Sequence, residues 1–298
     1  MPQITANGVQ LEVETLGNPE NPTILLIMGL ATQLTAWPES FCTELVEHGY
    51  HVVRFDNRDI GLSQRMDHHK APNLPWLVIR KAMNIPVPLG YRLNDMAEDA
   101  VGVLDALGID AAHIVGASMG GMIAQLVAAR HPERCLSLTS IMSTTGHRSL
   151  PRAERDATRA LMLKPENPDD IDSIIERNVR VRRVLQSQSF PKTDEELWET
   201  AAAAVHRGGY HPDGVARQLG AIIASKHRRD LLKRVKQPAL VIHGDEDRLV
   251  PLACGEDTAK HLPNGQLCVL KGMGHDLPAQ LLPDMCAQIH AVAQRAYA

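Results

Sequence analysis

The spacing of hydrophobic residues predicts short strands from the start of the chain. Val9, Leu11 and Val13 alternate with polar residues, which is typical of an antiparallel strand with one solvated face. Asn7-Gly8, just before them, favours a two-residue hairpin turn. Residues 24–28 then form a continuous apolar run, as expected of a strand buried on both faces. The chain is therefore predicted to begin with a hairpin and to continue into the interior of a sheet.

Beyond this run, strand-like and helix-like patterns alternate. Strands are predicted over 50–55 and 135–142, with a third ending near residue 115. One helix is predicted after Asn94, taken as its N-cap, and is expected to stop at Gly108. Such alternation indicates βαβ units. We predict an α/β fold with a mostly parallel sheet and helices on both faces.

The alternation stops between about residues 144 and 230. This stretch contains no strand candidate, and helical patterns follow one another over 171–185, 195–206 and 214–226. Strand-like spacing returns at 239–243 and 266–270. We therefore predict an α/β core of residues 1–143 and 231–298, interrupted by a helical insertion, residues 144–230.

Composition and charge exclude several classes of function. The net charge of −4 gives no reason to expect nucleic-acid binding, and no apolar run approaches the ~20 residues of a membrane span. The first residues lack the basic and apolar regions of a signal peptide. Five scattered cysteines without a Cys-x-x-Cys pair are typical of reduced thiols, so we expect a cytoplasmic protein. The oligomeric state stays open.

Residues 116–120 read Gly-Ala-Ser-Met-Gly and lie between a predicted strand and a predicted helix over 122–130. In this context Gly-x-Ser-x-Gly is the pattern of a nucleophile elbow, a tight turn that presents the hydroxyl of Ser118 clear of the sheet. The two glycines let strand and helix pass closely around the turn. Elsewhere the same pattern can be an ordinary turn whose serine caps the helix. The interpretation therefore requires a base and an acid in other loops.

Two loops after later predicted strands supply such residues. Ligands of an open parallel sheet bind at the carboxyl ends of its strands, where these loops leave. The loop after residue 243 contains Asp245, Glu246 and Asp247, and the loop after residue 270 contains His275 in a glycine-rich stretch. A serine, a histidine base and a carboxylate that orients it can form a catalytic triad. The other histidines lack a zinc signature, so we expect no metal site.

These features resemble the α/β-hydrolase superfamily along essentially the whole chain. Residues 27–30, 55–63, 116–120 and 272–275 are similar to those of aclacinomycin methylesterase and related carboxylesterases. Within this resemblance, the serine, the acid and the histidine follow one another in the superfamily's order. The helical insertion is then expected to be a cap, or lid, and the substrate a small-molecule ester, hydrolysed without a cofactor.

The resemblance also assigns roles to individual residues. The family's Gly-x-x-Asp pattern with a proline four residues later is matched by Gly244, Asp247 and Pro251, which favours Asp247 as the acid. The oxyanion hole is expected to use two backbone N–H groups, that of Met119 directly after Ser118 and, by resemblance, that of Leu30.

Three further features carry weaker expectations. The loop 56–63 has Asp59 where the family's commoner Asp-x-Arg-Gly-x-Gly-x-Ser pattern has glycine, and we interpret this loop as structural. Methionines near strand ends are usually core residues, but together they could form an apolar acyl pocket. The pocket candidates are Met28, Met142 and Met273. A cluster of arginines in the helical insertion is most often a solvated face, with recognition of an anionic substrate as the alternative. These are Arg177, Arg180, Arg182 and Arg183.

We therefore predict a serine hydrolase that cleaves carboxylic esters through an acyl-enzyme. Serine at the elbow argues against epoxide hydrolases and dehalogenases, which have an aspartate there. Cofactor-free perhydrolysis (the haloperoxidase type of reaction) and lactone hydrolysis could use the same triad. Carbon–carbon bond hydrolysis is also open. A non-catalytic sensor that binds a small molecule under the cap is an alternative of a different class.

Overall fold

The computed structural model describes residues 3–83 and 85–297, and a sheet of eight strands forms the centre of this part of the chain. The strands are β1 (Gln3–Ala6), β2 (Val9–Leu16), β3 (Thr23–Ile27), β4 (His51–Phe55), β5 (Ala112–Ala117), β6 (Cys135–Ile141), β7 (Ala239–Gly244) and β8 (Gly265–Leu270). Their order across the sheet is β1-β2-β4-β3-β5-β6-β7-β8. β2 is antiparallel to both β1 and β4, and every pair from β4 to β8 is parallel.

The predicted hairpin joins β1 to β2. Asn7 and Gly8 both have positive φ, 49° and 74°, as a two-residue turn of type I′ requires. The alternation along β2 is less regular than predicted, because Glu12 on the expected solvated face is 4% exposed. The loop around Ser63 lies against it, and the Glu12 N–H donates to Ser63 Oγ at 2.9 Å.

The described residues contain eleven helices. They are α1 (Glu39–Glu47), α2 (Leu74–Ala82), α3 (Leu93–Ala106), α4 (Met119–Arg130), α5 (Arg155–Leu161), α6 (Ile171–Leu185), α7 (Asp194–Gly208), α8 (Pro212–Ala224), α9 (Arg229–Leu232), α10 (Leu252–Lys260) and α11 (Leu282–Gln294). Apolar residues of α3 and α4 pack on one face of the sheet, and those of α1 and α11 pack on the other. The predicted α/β class, with helices on both faces of a mostly parallel sheet, is confirmed.

Some predicted helix ends were wrong. Asn94 lies inside α3, because Arg92 is the N-cap residue and its N–H donates to the Asp95 carboxylate at 2.7 Å. α4 begins at Met119, three residues earlier than predicted, directly after the elbow serine. The short helix α2, which precedes α3, was not predicted.

The stretch between β6 and β7 contains α5 to α9 and no strand. α6 and α7 pack together through a small hydrophobic core of their own, which includes Ile175, Val179 and Ala201. α2 also packs here, since a Cβ atom at Gly220 of α8 would come 3.6 Å from Leu77 Cδ1 of α2. The predicted boundary at residue 230 falls inside α9, whose Leu232 belongs to the core under the sheet.

All five cysteines are unpaired and four of them are buried, as the sequence predicted. Across residues 3–83 and 85–297, no helix combines the length and the apolar character needed to cross a membrane.

Candidate active site

Ser118 lies at the turn between β5 and α4 in a backbone conformation that L-residues rarely adopt, with φ 55° and ψ −116°. Its N–H donates to the carbonyl oxygen of Ile141 on β6 at 2.9 Å, which fixes the turn to the sheet. A Cβ atom at Gly120 would overlap the carbonyl of Ile27, and one at Gly116 would overlap the backbone of Gly120. The strained serine and the two glycines therefore form the tight turn that the sequence predicted.

The imidazole of His275 meets the Ser118 hydroxyl. His275 Nε2 is 3.0 Å from Ser118 Oγ, although the two residues come from loops 157 positions apart in the chain. The loop after β8 is fixed from the helical insertion, because the His275 N–H donates to the carbonyl of Leu185 at 2.9 Å. One residue earlier, the Gly274 N–H donates to Ser187 Oγ at 2.7 Å. The C-terminal end of α6 thus contacts the backbone of this histidine directly.

Asp247 contacts the other ring nitrogen of His275. Its Oδ2 lies 2.7 Å from His275 Nδ1, and its side chain is fully buried. Since a carboxylate accepts, Nδ1 carries the proton and Nε2 is free to accept from the serine hydroxyl. The second carboxylate oxygen accepts from the N–H groups of Leu249 and Val250 at 2.9 and 2.8 Å. These bonds hold the carboxylate in one orientation.

The two neighbouring acids have other partners. Asp245 Oδ1 accepts from the Gly272 N–H at 2.7 Å. Glu246 accepts from Ser189 Oγ at 2.6 Å, and this hydrogen bond holds the pKa of Glu246 below its ordinary value. Of the three acids that the sequence left in competition, Asp247 is the one that contacts His275 in the structure.

His243, at the end of β7, supports this loop, and no motif in the sequence indicated that role. It is fully buried, and its Nε2–H donates to the carbonyl of Val250 at 2.7 Å. Burial lowers the pKa of His243. The His243 imidazole, with its Nε2 3.7 Å from the Asp247 carboxylate, is therefore neutral. It does not compete with His275 as a cationic partner of Asp247.

The two expected oxyanion donors lie on either side of Ser118. Met119 follows it as the first residue of α4, where the N-terminus of a helix favours negative charge. Residues 28–30 run past the serine so closely that a Cβ atom at Gly29 would be 3.1 Å from Ser118 Cβ. Within the described part of the chain, neither the Leu30 nor the Met119 N–H donates to another protein group. Neither N–H group thus has a competing acceptor among these residues.

The methionines predicted to line the pocket lie deeper than expected. Met28 and Met142 are each 5% exposed, and Met273 is 0% exposed. All three pack in the hydrophobic cluster between the sheet, α1 and α11. The position of Met273 contradicts its expected place in a pocket wall, because a side chain without exposed surface cannot contact substrate unless the core opens.

The arginines of α6 do not form one patch. Arg180 pairs with Glu176, Arg183 pairs with Asp194, and Arg177 donates to backbone carbonyls. Arg182 is half-buried, one turn beyond the buried Val179, and makes no side-chain hydrogen bond to any described residue. No cluster of three metal-ligating side chains occurs among residues 3–83 and 85–297.

Comparison with known proteins agrees with this fold. The sequence profile of the alpha/beta hydrolase fold family matches residues 22–279. The chain belongs to the α/β-hydrolase family. The resemblance inferred from sequence motifs is therefore confirmed, and the protein is an enzyme of this hydrolase family.

Two relatives match this α/β-hydrolase over nearly its full length. They are the rhodomycin D methylesterases DauP of Streptomyces sp. strain C5, 29% identical, and DnrP of Streptomyces peucetius, 30% identical. Each alignment covers 97% of this chain and 96% of the relative. A 3-oxoadipate enol-lactonase of Acinetobacter baylyi is 24% identical over 90% of this chain and 87% of its own.

Solved structures of other hydrolases share the fold of this α/β-hydrolase. The meta-cleavage product hydrolase CumD of Pseudomonas fluorescens IP01 superposes with a TM-score of 0.76 at 21% identity, over 99% of this chain and 98% of its own. The enol-lactonase of Burkholderia xenovorans LB400 gives 0.73 at 21% identity, over 98% and 100%. At such identities the likeness shows the fold alone.

Other residues around the α/β-hydrolase site had no signal in the sequence. Asn57 donates to the carbonyl of Met28 at 2.9 Å, and Gln218 accepts from the Ala31 N–H at 3.0 Å. Asn57 lies in the loop 56–63, which the sequence analysis interpreted as structural, so the motif indicated a supporting role for this loop without indicating its contact with Met28. Gln218 is a single glutamine in a helix of the insertion, and only its contacts reveal it.

Proposed function

We propose that this enzyme hydrolyses carboxylic esters through an acyl-enzyme intermediate on Ser118. His275 acts as the general base and Asp247 orients it. The observation that carries the proposal is the unbroken chain from Ser118 Oγ through His275 to Asp247, with contacts of 3.0 and 2.7 Å. In such a chain the imidazole activates a hydroxyl that is a poor nucleophile by itself.

The steps follow from these positions. His275 Nε2 takes the hydroxyl proton while Ser118 Oγ attacks the ester carbonyl, and the carbonyl oxygen becomes an oxyanion. The N–H groups of Leu30 and Met119 donate to it, and removal of one such donor typically costs about 3 kcal/mol in the transition state. His275 then gives its proton to the leaving alcohol. Water, activated by the same histidine, releases the acid and restores the serine.

Asp247 remains an anion throughout. It stabilises the imidazolium that forms during each proton transfer and fixes the Nδ1–H tautomer. It accepts three hydrogen bonds, from His275 Nδ1 and from the N–H groups of Leu249 and Val250, and all three partners belong to the protein. This sequence of steps uses no metal and no cofactor.

The names of two relatives support one class of ester. DauP and DnrP, each aligned over 97% of this chain, are methylesterases by name. We therefore propose that the substrate is an ester of a small alcohol, with a methyl ester of a bulky carboxylic acid as the first class to test. Perhydrolysis, lactone opening and carbon–carbon bond hydrolysis start from the same serine and belong in the same screen.

We further propose that residues 144–230 form a cap over a core of residues 1–143 and 231–298. Support comes from the contacts of Leu185 and Ser187 with the His275 loop. A cap in this place excludes water from the reaction and forms part of the substrate-binding wall.

The decisive experiment compares Ser118→Ala with the wild-type enzyme. Aryl acetates and methyl esters should be turned over by the wild type and almost not at all by the variant, with unchanged circular dichroism. A serine-directed phosphonate should label Ser118 stoichiometrically. Labelling at another serine would reject the nucleophile, and a labelled protein that turns over no ester, lactone or peracid would favour the sensor alternative.

A further inference from the structure

The oxyanion loop, residues 28–34, is held partly by the core and partly by the insertion, where Gln33 Nε2 donates to the carbonyl of Ala204 at 2.6 Å and Gln33 Oε1 accepts from Arg207 at 2.8 Å. Asn57 Nδ2 donates to the carbonyl of Met28 at 2.9 Å, and the Leu34 N–H donates to Asp56 Oδ1 at 2.6 Å. Within the loop, Thr32 Oγ1 donates to the carbonyl of Gly29 at 2.9 Å. That carbonyl and the Leu30 N–H belong to the same peptide group, so Thr32 fixes the plane of the expected oxyanion donor on one side.

The next peptide plane is fixed from the helical insertion. The Ala31 N–H donates to Gln218 Oε1 of α8 at 3.0 Å, and Gln218 Nε2 donates to the carbonyl of Arg58 at 2.8 Å. Gln218 is 0% exposed, so its own amide atoms have no water as an alternative partner. One amide side chain therefore links the oxyanion loop to the loop that follows β4.

Ala31 needs such a partner. Its φ of 59° is in the left-handed region, which is unfavourable for a residue with a Cβ atom. A loop with a strained residue relaxes unless surrounding contacts fix it. The Gln218 bond to the N–H of this residue is such a contact, directly after Leu30.

Gln218 is itself held in place by its neighbour. Arg217 makes two buried hydrogen bonds to Asp59, of 2.8 Å from Nε and 2.7 Å from Nη2. A Cβ atom at Gly214, one turn earlier in α8, would lie 2.5 Å from the Asp59 carbonyl oxygen. α8 therefore sits tightly on the core at this point, and the Gln218 amide has little freedom to move.

From these contacts we propose that Gln218 is a positioning residue for the oxyanion hole. It holds the Leu30–Ala31 peptide plane, as Thr32 holds the plane before it, and so directs the Leu30 N–H toward the oxygen on Ser118. The proposal rests on the ester-hydrolase function above. Its consequence is that the helical insertion takes part in transition-state stabilisation in addition to enclosing the substrate.

The test compares Gln218→Met with Gln125→Met. Gln125 is a matched control, because it is also 0% exposed and makes two side-chain hydrogen bonds. Its Nε2 donates to Ser140 Oγ, and its Oε1 accepts from Arg228 Nε, near the end of the insertion. Both variants should lose stability. Gln218→Met should lower kcat about 10- to 100-fold, less than the 10²- to 10³-fold typical for removal of a donor itself, with KM within about twofold. Gln125→Met should leave kcat within about threefold.

Two further measurements separate positioning from general loosening. A trifluoromethyl ketone that mimics the tetrahedral intermediate should lose affinity for Gln218→Met by the same factor as kcat, while a carboxylate product should not. Amide hydrogen exchange at Ala31, whose N–H loses its acceptor, should accelerate in Gln218→Met alone, and this readout needs no turnover. If the wild type hydrolyses no ester, the proposed function fails, and exchange alone still decides the positioning. An equal loss of kcat in both variants, or unchanged exchange at Ala31, would overturn the proposal.

Discussion

Asp59 and Arg217 form a buried ion pair with two hydrogen bonds between the core and the helical insertion. Burial alone would raise the pKa of Asp59, but hydrogen bonds from Arg217, the Met66 N–H and Tyr91 outweigh it and lower this pKa. Asp59 has a φ of 70°, which explains why the family's commoner pattern has glycine here. An aspartate tolerates this conformation better than most residues, and in this chain it gains a cationic partner.

Asp59→Asn should therefore lower the free energy of unfolding by about 3 kcal/mol, because it leaves the guanidinium of Arg217 buried without its main counter-ion. Asp67 offers a matched control, since it is 3.0 Å from the same guanidinium but its side chain is 69% exposed. Asp67→Asn should cost less than about 1 kcal/mol. Urea unfolding followed by circular dichroism measures both, and equal losses would contradict the importance of the buried pair.

Asp247→Asn should reduce kcat by about 10⁴-fold, the size found for the corresponding change in a serine-protease triad. The asparagine retains the shape but favours the wrong tautomer of His275. Asp245→Asn is the control, because an asparagine Oδ1 can still accept from the Gly272 N–H. Steady-state kinetics on one activated ester compares the two. A larger loss in Asp245→Asn would show that the wrong carboxylate has been assigned.

His113 should make stability depend on pH. It is 0% exposed, its ring lies between Ser137 Oγ at 2.9 Å and the Tyr297 hydroxyl at 3.0 Å, and burial lowers its pKa to about 4. Below pH 6.5 the unfolded histidine binds a proton that the folded one does not, so stability falls as the pH decreases from about 6.5 to 4. Relative to neutral pH, this residue lowers the free energy of unfolding by about 2 kcal/mol at pH 5 and by about 3 kcal/mol at pH 4.

His113→Gln should flatten the dependence of the unfolding free energy on pH in this window, as measured by urea titrations at several pH values. His206→Gln, at an exposed position, is the comparison. The remaining slope should reflect His51, His211 and His243, whose pKa values burial also lowers. An unchanged slope in His113→Gln would contradict the prediction.

Leu185, the last residue of α6, should influence which esters are accepted. Its carbonyl accepts from the His275 N–H, so its half-buried side chain starts close to the imidazole. Leu185→Trp should change the ratio of kcat/KM for bulky and acetate esters by 10-fold or more, since one methylene of pocket space is worth about 1–3 kcal/mol. Glu176→Trp, on the exposed face of the same helix, should not change it. Both variants should still react with a small phosphonate. If the two variants give the same ratio as the wild type, α6 does not contribute to the substrate-binding wall.

The sequence by itself determined the features that depend on short-range pattern. Alternating and continuous apolar runs located the strands, because the period of burial is a local property of the chain. The elbow around Ser118 was recognisable because a strained turn needs glycine at fixed positions, and Gly116 and Gly120 indeed leave no room for a side chain. The order of Ser118, the acidic loop and His275 could also be recognised, because it is a property of the linear chain.

Only the tertiary structure decided what depends on contacts between distant residues. Motif resemblance favoured Asp247, but residues alone left three adjacent acids as candidates, and only the fold brings the carboxylate of Asp247 to His275. Met273 lies two residues before His275 in the same loop, yet its side chain is buried in the core. Gln218 follows no motif, and its contact with Ala31 spans 187 positions of the chain. These contacts depend on packing between distant segments and on the free-energy cost of leaving buried polar groups unpaired. The spacing of residues along the chain predicts neither effect.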